Sequence, residues 1–251
     1  MSSANKIMLV TGASRGIGAE IARLAGALGY RVGVNYLRSE KAANDVVDNI
    51  QKSGGEAIAL KADVGKLHEV VAMFAKLDSV FGAPDVLVNN AGVLANFRVD
   101  EVDEHNLAEI FSANVFSAYY CAREAVKRMS TIHGGQGGVI INMSSVASRL
   151  GGLGGGTAYA ASKGAIDTFT LALAKEVGGE GIRVNAMRPG LISTDIHDMH
   201  GGIEKMEAMA KTAVPLGRAG SANEVAQVAL WLASSASSYV HGSVIDVAGG
   251  R

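Results

Sequence analysis

A single doubly wound α/β domain, with a seven-stranded parallel sheet and helices on both of its faces, is the fold this sequence predicts. Three observations predict it. Short apolar runs alternate with longer stretches of helical periodicity along the whole chain. The first run is followed at once by a glycine turn, Gly12-x-x-x-Gly16-x-Gly18, that opens a helix. Glycine is abundant, at 32 residues against 3 prolines, as tight strand-to-helix turns require and disorder does not. No linker rich in proline or serine divides the 251 residues, so residues 1–251 are expected to form one domain.

Taken in order, residues 6–10 make the first strand, and Ala19, Ile21, Ala22, Leu24, Ala25 and Leu28 recur at the spacing of the first helix. Residues 31–36 are the second strand, and residues 40–52 a helix with Ala43, Val46, Val47 and Ile50 on its apolar face. Strand three is expected at 57–62, a helix at 67–81, and strand four at 85–88, closed by Asn89-Asn90-Ala91-Gly92. Residues 107–129 form a helix apolar nearly all round, which predicts burial on more than one face. Asn114 sits inside it, where a buried amide must find hydrogen bonds: it ties two elements together or holds a water near Lys163. The run 139–141 is a fifth strand that delivers Asn142, Ser144 and Ser145 at its carboxyl end, the edge where open α/β sheets bind ligands. A small-residue helix follows over 158–177, a sixth strand at 182–187, a helix at 222–233 and a last strand at 244–247. Residues 193–214 lack strong periodicity and read as a mobile lid hinged at Gly201-Gly202, ordering when a ligand binds.

Composition excludes several classes of function. A formal net charge of −1 without basic runs gives no electrostatic reason for a nucleic acid or an anionic membrane as partner. Cys121 is the only cysteine, which rules out an internal disulfide and disfavours a thiolate metal site. The early apolar run is too short for a signal peptide and no segment approaches a membrane span, so a cytoplasmic location is expected. His197 and His200 are the only metal-like pair of histidines, and no metal is expected there.

Chemistry concentrates in residues 142–163. On a helix Tyr159 and Lys163 lie one turn apart on one face. A free phenol ionises near pH 10, and an adjacent cation favours the phenolate, so Tyr159 reads as a general acid/base. A serine from the preceding strand end would hydrogen-bond the same substrate oxygen. In the glycine turn, Gly12, Gly16 and Gly18 let the backbone approach a pyrophosphate at the start of the first helix. Strand two ends Val34-Asn35-Tyr36-Leu37-Arg38-Ser39, with no carboxylate until Glu40. An acidic residue there would bind the ribose hydroxyls of NAD and repel a 2′-phosphate. Its absence, with Arg15 and Arg38 close by, predicts a preference for NADP(H), with NAD(H) still admissible.

With these motifs in one order, the chain resembles the short-chain dehydrogenases/reductases over essentially its full length, and within them the 3-oxoacyl-carrier-protein reductases and sugar dehydrogenases. The resemblance carries Thr11-Gly12-x-x-x-Gly16-x-Gly18, Asn89-Asn90-Ala91-Gly92, Asn114, Ser145, Tyr159-x-x-x-Lys163 and Pro189-Gly190. It implies a Rossmann-type sheet, hydride transfer between a nicotinamide nucleotide and a ketone or secondary alcohol, and a homo-oligomer, tetramer or dimer. The implied catalytic residues are Asn114 as proton relay, Ser145 for substrate orientation, Tyr159 as proton donor and Lys163 as the ribose-binding lysine. It also implies the pyrophosphate at Gly12, Ser14, Gly16, Ile17 and Gly18, the adenine at Asp63 and Val64, the ribose at Asn90, Ala91 and Gly92, and the carboxamide at Ile192 and Thr194. Ser145 and Tyr159 stand one residue further apart than in most members, so the loop 151–156 is expected to bulge, and Ser144 remains an alternative to Ser145. A nucleotide-binding regulator on the same fold is the other function considered, and the intact Asn114, Ser145, Tyr159 and Lys163 argue for turnover instead.

Overall fold

A computed structural model of the protein describes residues 5–152, 154–194 and 202–251. The strands β1 (Ile7–Val10), β2 (Arg31–Tyr36), β3 (Glu56–Lys61), β4 (Val86–Asn89), β5 (Gly138–Met143) and β6 (Ile182–Pro189) pair in one sheet with a last strand, Val244–Val247. All pairs are parallel, and the order is β3-β2-β1-β4-β5-β6 followed by that last strand. The predicted seven-stranded sheet is present, with boundaries that differ by one or two residues at most ends. One pairing was not anticipated: β7 (Ile192–Ser193) and β8 (Gly220–Ser221) form a separate two-stranded ladder. The last strand of the large sheet is therefore β9 (Val244–Val247).

The strands are apolar without interruption because both faces are covered. Met8 and Val10 of β1 face one way, into a core shared with α1 (Gly16–Ala27), α2 (Glu40–Lys52) and α9 (Ala222–Ala233). Ile7 and Leu9 face the other, into a core with α3 (Leu67–Val80), α5 (Ser117–Met129) and α7 (Thr157–Val177). Each fully buried Leu, Ile or Phe, such as Leu9, Ile140 and Phe74 at 0% exposure, contributes about 1.5–3 kcal/mol.

The long helix expected over 107–129 is built in three parts. It starts earlier, as α4 (Glu104–Phe111), passes through a π-helical segment at Ser112–Phe116, and continues as α5. Asp103 caps its start, its side chain accepting from the Asn106 N–H at 2.7 Å. The π segment contains Asn114 and shifts the bonding so that the Ser117 N–H donates to the Ser112 carbonyl. Such single-turn widenings mark functional positions more often than chance.

The region read as an aperiodic lid is also different. Gly202–Ala213 is a helix, α8, because Met206, Ala210 and Val214 recur every four residues and bury against Leu191. Residues 195–201, including His197, His200 and the Gly201 half of the expected hinge, lie outside the described residues.

The chain order reverses between β1 and β4, and there the strand ends are clipped together. The Thr11 hydroxyl accepts from the N–H groups of Asn90 and Ala91, at 3.0 and 2.9 Å, while the Asn90 amide donates to the carbonyls of Thr11 and Gly12. Gly12 has φ +60°, and a Cβ there would stand 2.9 Å from the Ala91 Cα, so the two turns close only around a glycine. From the other side Asn35 braces the same turn: its Oδ1 accepts from the Gly12 N–H at 3.0 Å and its Nδ2 donates to the carbonyls of Leu60 and Ala62. Asn35 is 1% exposed, so Asn35→Ala leaves these groups without partners and water. Chemical denaturation should show a loss of about 2–4 kcal/mol, and a loss under about 0.5 kcal/mol would show that the brace is dispensable.

Candidate active site

A cleft of about 780 Å³ opens over the carboxyl ends of the strands at this switch point. Its wall includes Gly12, Ser14, Arg15, Gly16 and Ile17 of the glycine turn, Asn35 and Arg38 after β2, and Asp63 and Val64 after β3. It continues along Asn90, Ala91 and Gly92, past Ser145, Tyr159 and Lys163, to Pro189, Gly190, Ile192 and Thr194. The structure thus brings together all but two of the residues named from sequence. Gly18 lies beneath the turn, where a Cβ would meet the Asn90 amide nitrogen at 2.4 Å. Asn114 lies behind the wall, at 2% exposure.

The two serines differ in their surroundings. Both line the cleft, but Ser144 is buried and its hydroxyl donates to the Lys163 carbonyl at 3.1 Å. The Ser145 hydroxyl accepts from the Ala147 N–H at 3.2 Å and stands beside the Tyr159 phenol. Between Ser145 and Tyr159 the chain passes through α6 (Ala147–Leu150) and the glycines 151, 152 and 155, all at positive φ. The Gly155 carbonyl accepts from the Phe97 N–H at 2.9 Å, which ties this loop to the one after β4.

Lys163 is almost wholly buried, and its Nζ donates to the Met143 carbonyl at 2.9 Å while lying 5.8 Å from the centre of the Tyr159 ring. This corrects one expectation. Burial pushes the Tyr159 phenol above its ordinary value, and the neighbouring Ser145 hydroxyl works against that push. The Lys163 ammonium, held on a carbonyl at the end of β5 and away from the phenol oxygen, does not outweigh that push. Burial also brings the ammonium down to about 8, opposed by the charge of Asp167.

Asn114 is fully engaged. Its Oδ1 accepts from the Val93 N–H at 2.7 Å, and its Nδ2 donates to the Val93 carbonyl and to the Ser162 hydroxyl, each at 3.0 Å. The tying role is the one seen: the amide joins the π segment to α7 and to the loop after β4.

Arg15 and Arg38 stand exposed on the cleft rim, and neither has a carboxylate partner among the described residues. Sequence reasoning missed Glu109 and Arg251, which also line the cleft. They come from loops and helix ends without periodicity or motif, and only the fold brings them here. Among the described residues no group of three or more His, Cys, Asp or Glu side chains is disposed to hold a metal.

Comparison with known proteins agrees with this geometry. A family model described as enoyl-(acyl carrier protein) reductase matches residues 12–251. The chain is 47% identical to an uncharacterized oxidoreductase, YgfF, of Escherichia coli over 98% of this chain and 99% of that one. It is 37% identical to a probable tetrahydroxynaphthalene reductase of Zymoseptoria tritici, over 97% of this chain and 93% of that one. A crystal structure of a short chain dehydrogenase from Burkholderia cenocepacia in complex with NADP superposes with a TM-score of 0.90 at 29% identity, covering 100% of this chain and 99% of that one.

The position of the phenol is testable in the nucleotide-free protein. Alkaline difference absorbance of wild type against Tyr159→Phe should show no ionisation attributable to Tyr159 below about pH 10. A component between about pH 7 and 9 would mean that Lys163 governs the phenol even without a ligand.

Proposed function

Because the chain belongs to the short-chain dehydrogenase/reductase family, we propose that it is an NADP(H)-dependent oxidoreductase that interconverts a ketone and a secondary alcohol, with Tyr159 as general acid/base. The observation that carries this reading is the placement of Ser145 and Tyr159 together in the wall of the cleft, with Lys163 buried one helical turn from the tyrosine.

The residues present fit a dinucleotide. Gly12 and Gly16, both at positive φ, line the cleft, and the glycine turn opens α1, whose first N–H groups have no helical partners and attract a pyrophosphate. Asp63, Val64, Asn90, Ala91 and Gly92 line the stretch suited to adenosine, and Ile192 and Thr194 the stretch suited to the carboxamide. When bound, the reduced nicotinamide supplies the hydride. Ser145 orients the substrate carbonyl oxygen and stabilises the charge developing on it. Tyr159 delivers the proton to that oxygen and takes it back in the reverse direction. Lys163 has to leave or share the Met143 carbonyl to reach the ribose hydroxyls, and its charge then bears on the phenol.

Arg15 and Arg38 are the residues we assign to the 2′-phosphate, since both are cations on the rim of the cleft without an ion-pair partner among the described residues, and no carboxylate follows β2 until Glu40. A charge-assisted hydrogen bond is worth about 1.5–3 kcal/mol, so one or two of them favour NADP(H) by roughly tenfold or more. Val93, Leu94, Val146, Leu150 and Leu191 line the cleft with apolar surface. That surface suits a flat or aliphatic carbonyl compound, in keeping with a relative named a probable tetrahydroxynaphthalene reductase.

We also propose a homo-oligomer. Leu107, Phe116 and Tyr119 on the α4–α5 segment and Leu171 on α7 are exposed at 38–50%, a set of large apolar side chains on neighbouring helices. Among the described residues no helix is long and apolar enough to cross a membrane.

Kinetics with a panel of cyclic and aliphatic ketones, and an enoyl thioester, in the presence of NADPH tests the reaction. Oxidation of NADPH by a ketone, lost at least about 100-fold in Tyr159→Phe with nucleotide affinity kept, is the expected result. Nucleotide binding without oxidation by any compound would favour the regulator, and reaction of the thioester alone would move the chemistry to a carbon–carbon double bond. For the cofactor, kcat/KM should favour NADPH over NADH, and Arg15→Ala and Arg38→Ala should each lower that ratio about tenfold or more. An unchanged ratio in both would remove the arginines from the assignment. Light scattering at micromolar concentration should give a mass at least twice that of one chain.

A further inference from the structure

A chain of charges runs from the active-site helix to the outer strand of the sheet, and nothing in the proposed reaction uses it. Asp167 follows Lys163 by one turn of α7 and is 8% exposed. Its Oδ2 accepts from the Arg188 guanidinium twice, from Nη2 at 2.8 Å and Nε at 3.0 Å. Arg188 also pairs with Asp246 of β9 at 3.5 Å, and Asp246 with Arg149 of α6 at 3.0 Å. The sheet register explains why the chain ends at Lys163. Met143, whose carbonyl holds the Lys163 ammonium, is the partner of Met187, and Arg188 is the next residue on β6.

One atom stands out. Asp167 Oδ1 is buried without a hydrogen-bond partner, although Arg188 has donors enough for a two-oxygen grip. An unpaired carboxylate oxygen in the interior is costly unless a positive charge compensates it. The other charged groups around α7 are otherwise engaged or remote. From α6, Arg149 is taken by Asp246. From α4, Glu109 lies at the cleft wall. The α5 cations Arg123, Lys127 and Arg128 pair with Glu124, and Arg128 also with Asp78. The π segment and β5 present only neutral groups to Lys163, namely Asn114, the Met143 carbonyl and the serine hydroxyls, and the remaining titratable neighbour is Tyr159 on its own helix.

We propose that Asp167 is a positioning residue for Lys163: anchored by Arg188, its carboxylate supplies the buried negative charge that keeps the lysine protonated beneath the cleft. The inference deepens the reading of Lys163 as the lysine of an oxidoreductase and rests on it. Burial alone drives the ammonium down, to about 8 even with Asp167 present, so loss of that carboxylate moves the deprotonation further into the working range. Protonated and drawn toward a bound ribose, Lys163 brings its charge to bear on the phenol; neutral, it has no charge to bring.

The test reads the lysine directly. In nucleotide-free protein labelled with carbon-13 at lysine Cε, the Lys163 resonance, assigned with Lys163→Arg, should titrate at a midpoint about one pH unit lower in Asp167→Asn than in wild type. Asp167→Glu should restore the midpoint. Asp246→Asn, which loosens Arg188 and keeps the Asp167 charge, should leave it in place. The alkaline limb of kcat/KM should move down by the same amount in Asp167→Asn, which is about a tenfold loss of rate above that limb and little change below it. Should Asp167→Asn not fold, the wild-type Asp167 carboxyl resonance serves instead, and it should show an inflection at the Lys163 midpoint. An unchanged midpoint, an equal shift in Asp246→Asn, or no inflection would overturn the proposal. A shifted midpoint with an unmoved rate profile would uphold Asp167 and count against Lys163 in turnover.

Discussion

The site depends on a reciprocal pair of hydrogen bonds between the end of β5 and the middle of α7. Lys163 Nζ donates to the Met143 carbonyl, and the Ser144 hydroxyl donates to the Lys163 carbonyl. Two adjacent residues of a central strand thus hold one helical residue by both its side chain and its backbone. Everything that follows in the cleft is set by this clamp. Ser145, the next residue of the strand end, is brought to the phenol of Tyr159, which precedes Lys163 by one turn. A helix that slid or rotated by a fraction of a turn would separate serine from tyrosine, and the clamp resists that movement on both of its bonds.

A second clamp, at the β1–β4 crossing, performs the same task for the nucleotide half of the cleft. Thr11, Asn35 and Asn90 satisfy one another's turns so completely that the backbone after β1 has little freedom left. The two halves are joined behind the wall by Asn114, whose amide bonds the loop after β4 on one side and α7 on the other. The π segment is what aims that amide. A regular helix through Ser112–Phe116 would present residue 114 at a different angle, since the extra residue in the turn rotates everything before it.

How much of this was legible in the sequence follows from what kind of signal each part leaves. Buried strands such as 7–10 and 86–89 write unbroken apolar runs, so the sheet and its handed alternation could be read from spacing alone. Glycine 12 and the Tyr159–Lys163 pair leave fixed spacings and could be read too. The π segment could not, because Ser112–Phe116 has the composition of any amphipathic turn and its widening is decided by the fit of Asn114 against Val93 and Ser162, residues far away in the chain. α8 was missed for a related reason: its apolar positions, Met206, Ala210 and Val214, are sparse, and their burial depends on Leu191 meeting them from another element. Ser144 and Ser145 are identical in type and adjacent, so only the register of β5 against α7 distinguishes the hydroxyl bonded to the Lys163 carbonyl from the one beside the phenol.

The least legible property is electrostatic. From sequence, a lysine one turn from a tyrosine is expected to lower the phenol, and that argument assumes the ammonium is free to face it. In the folded chain three forces compete: burial raises the phenol, Ser145 lowers it, and the Met143 carbonyl draws the ammonium away. With burial the largest of these, the phenol stays protonated, which is the form that donates to a carbonyl. The same burial weakens the lysine's hold on its own proton. A site resting in this state has a proton ready on Tyr159 and a cation held one short movement away from it, so ligand groups that draw Lys163 off the strand end would also bring the phenol toward the range in which it can exchange that proton repeatedly.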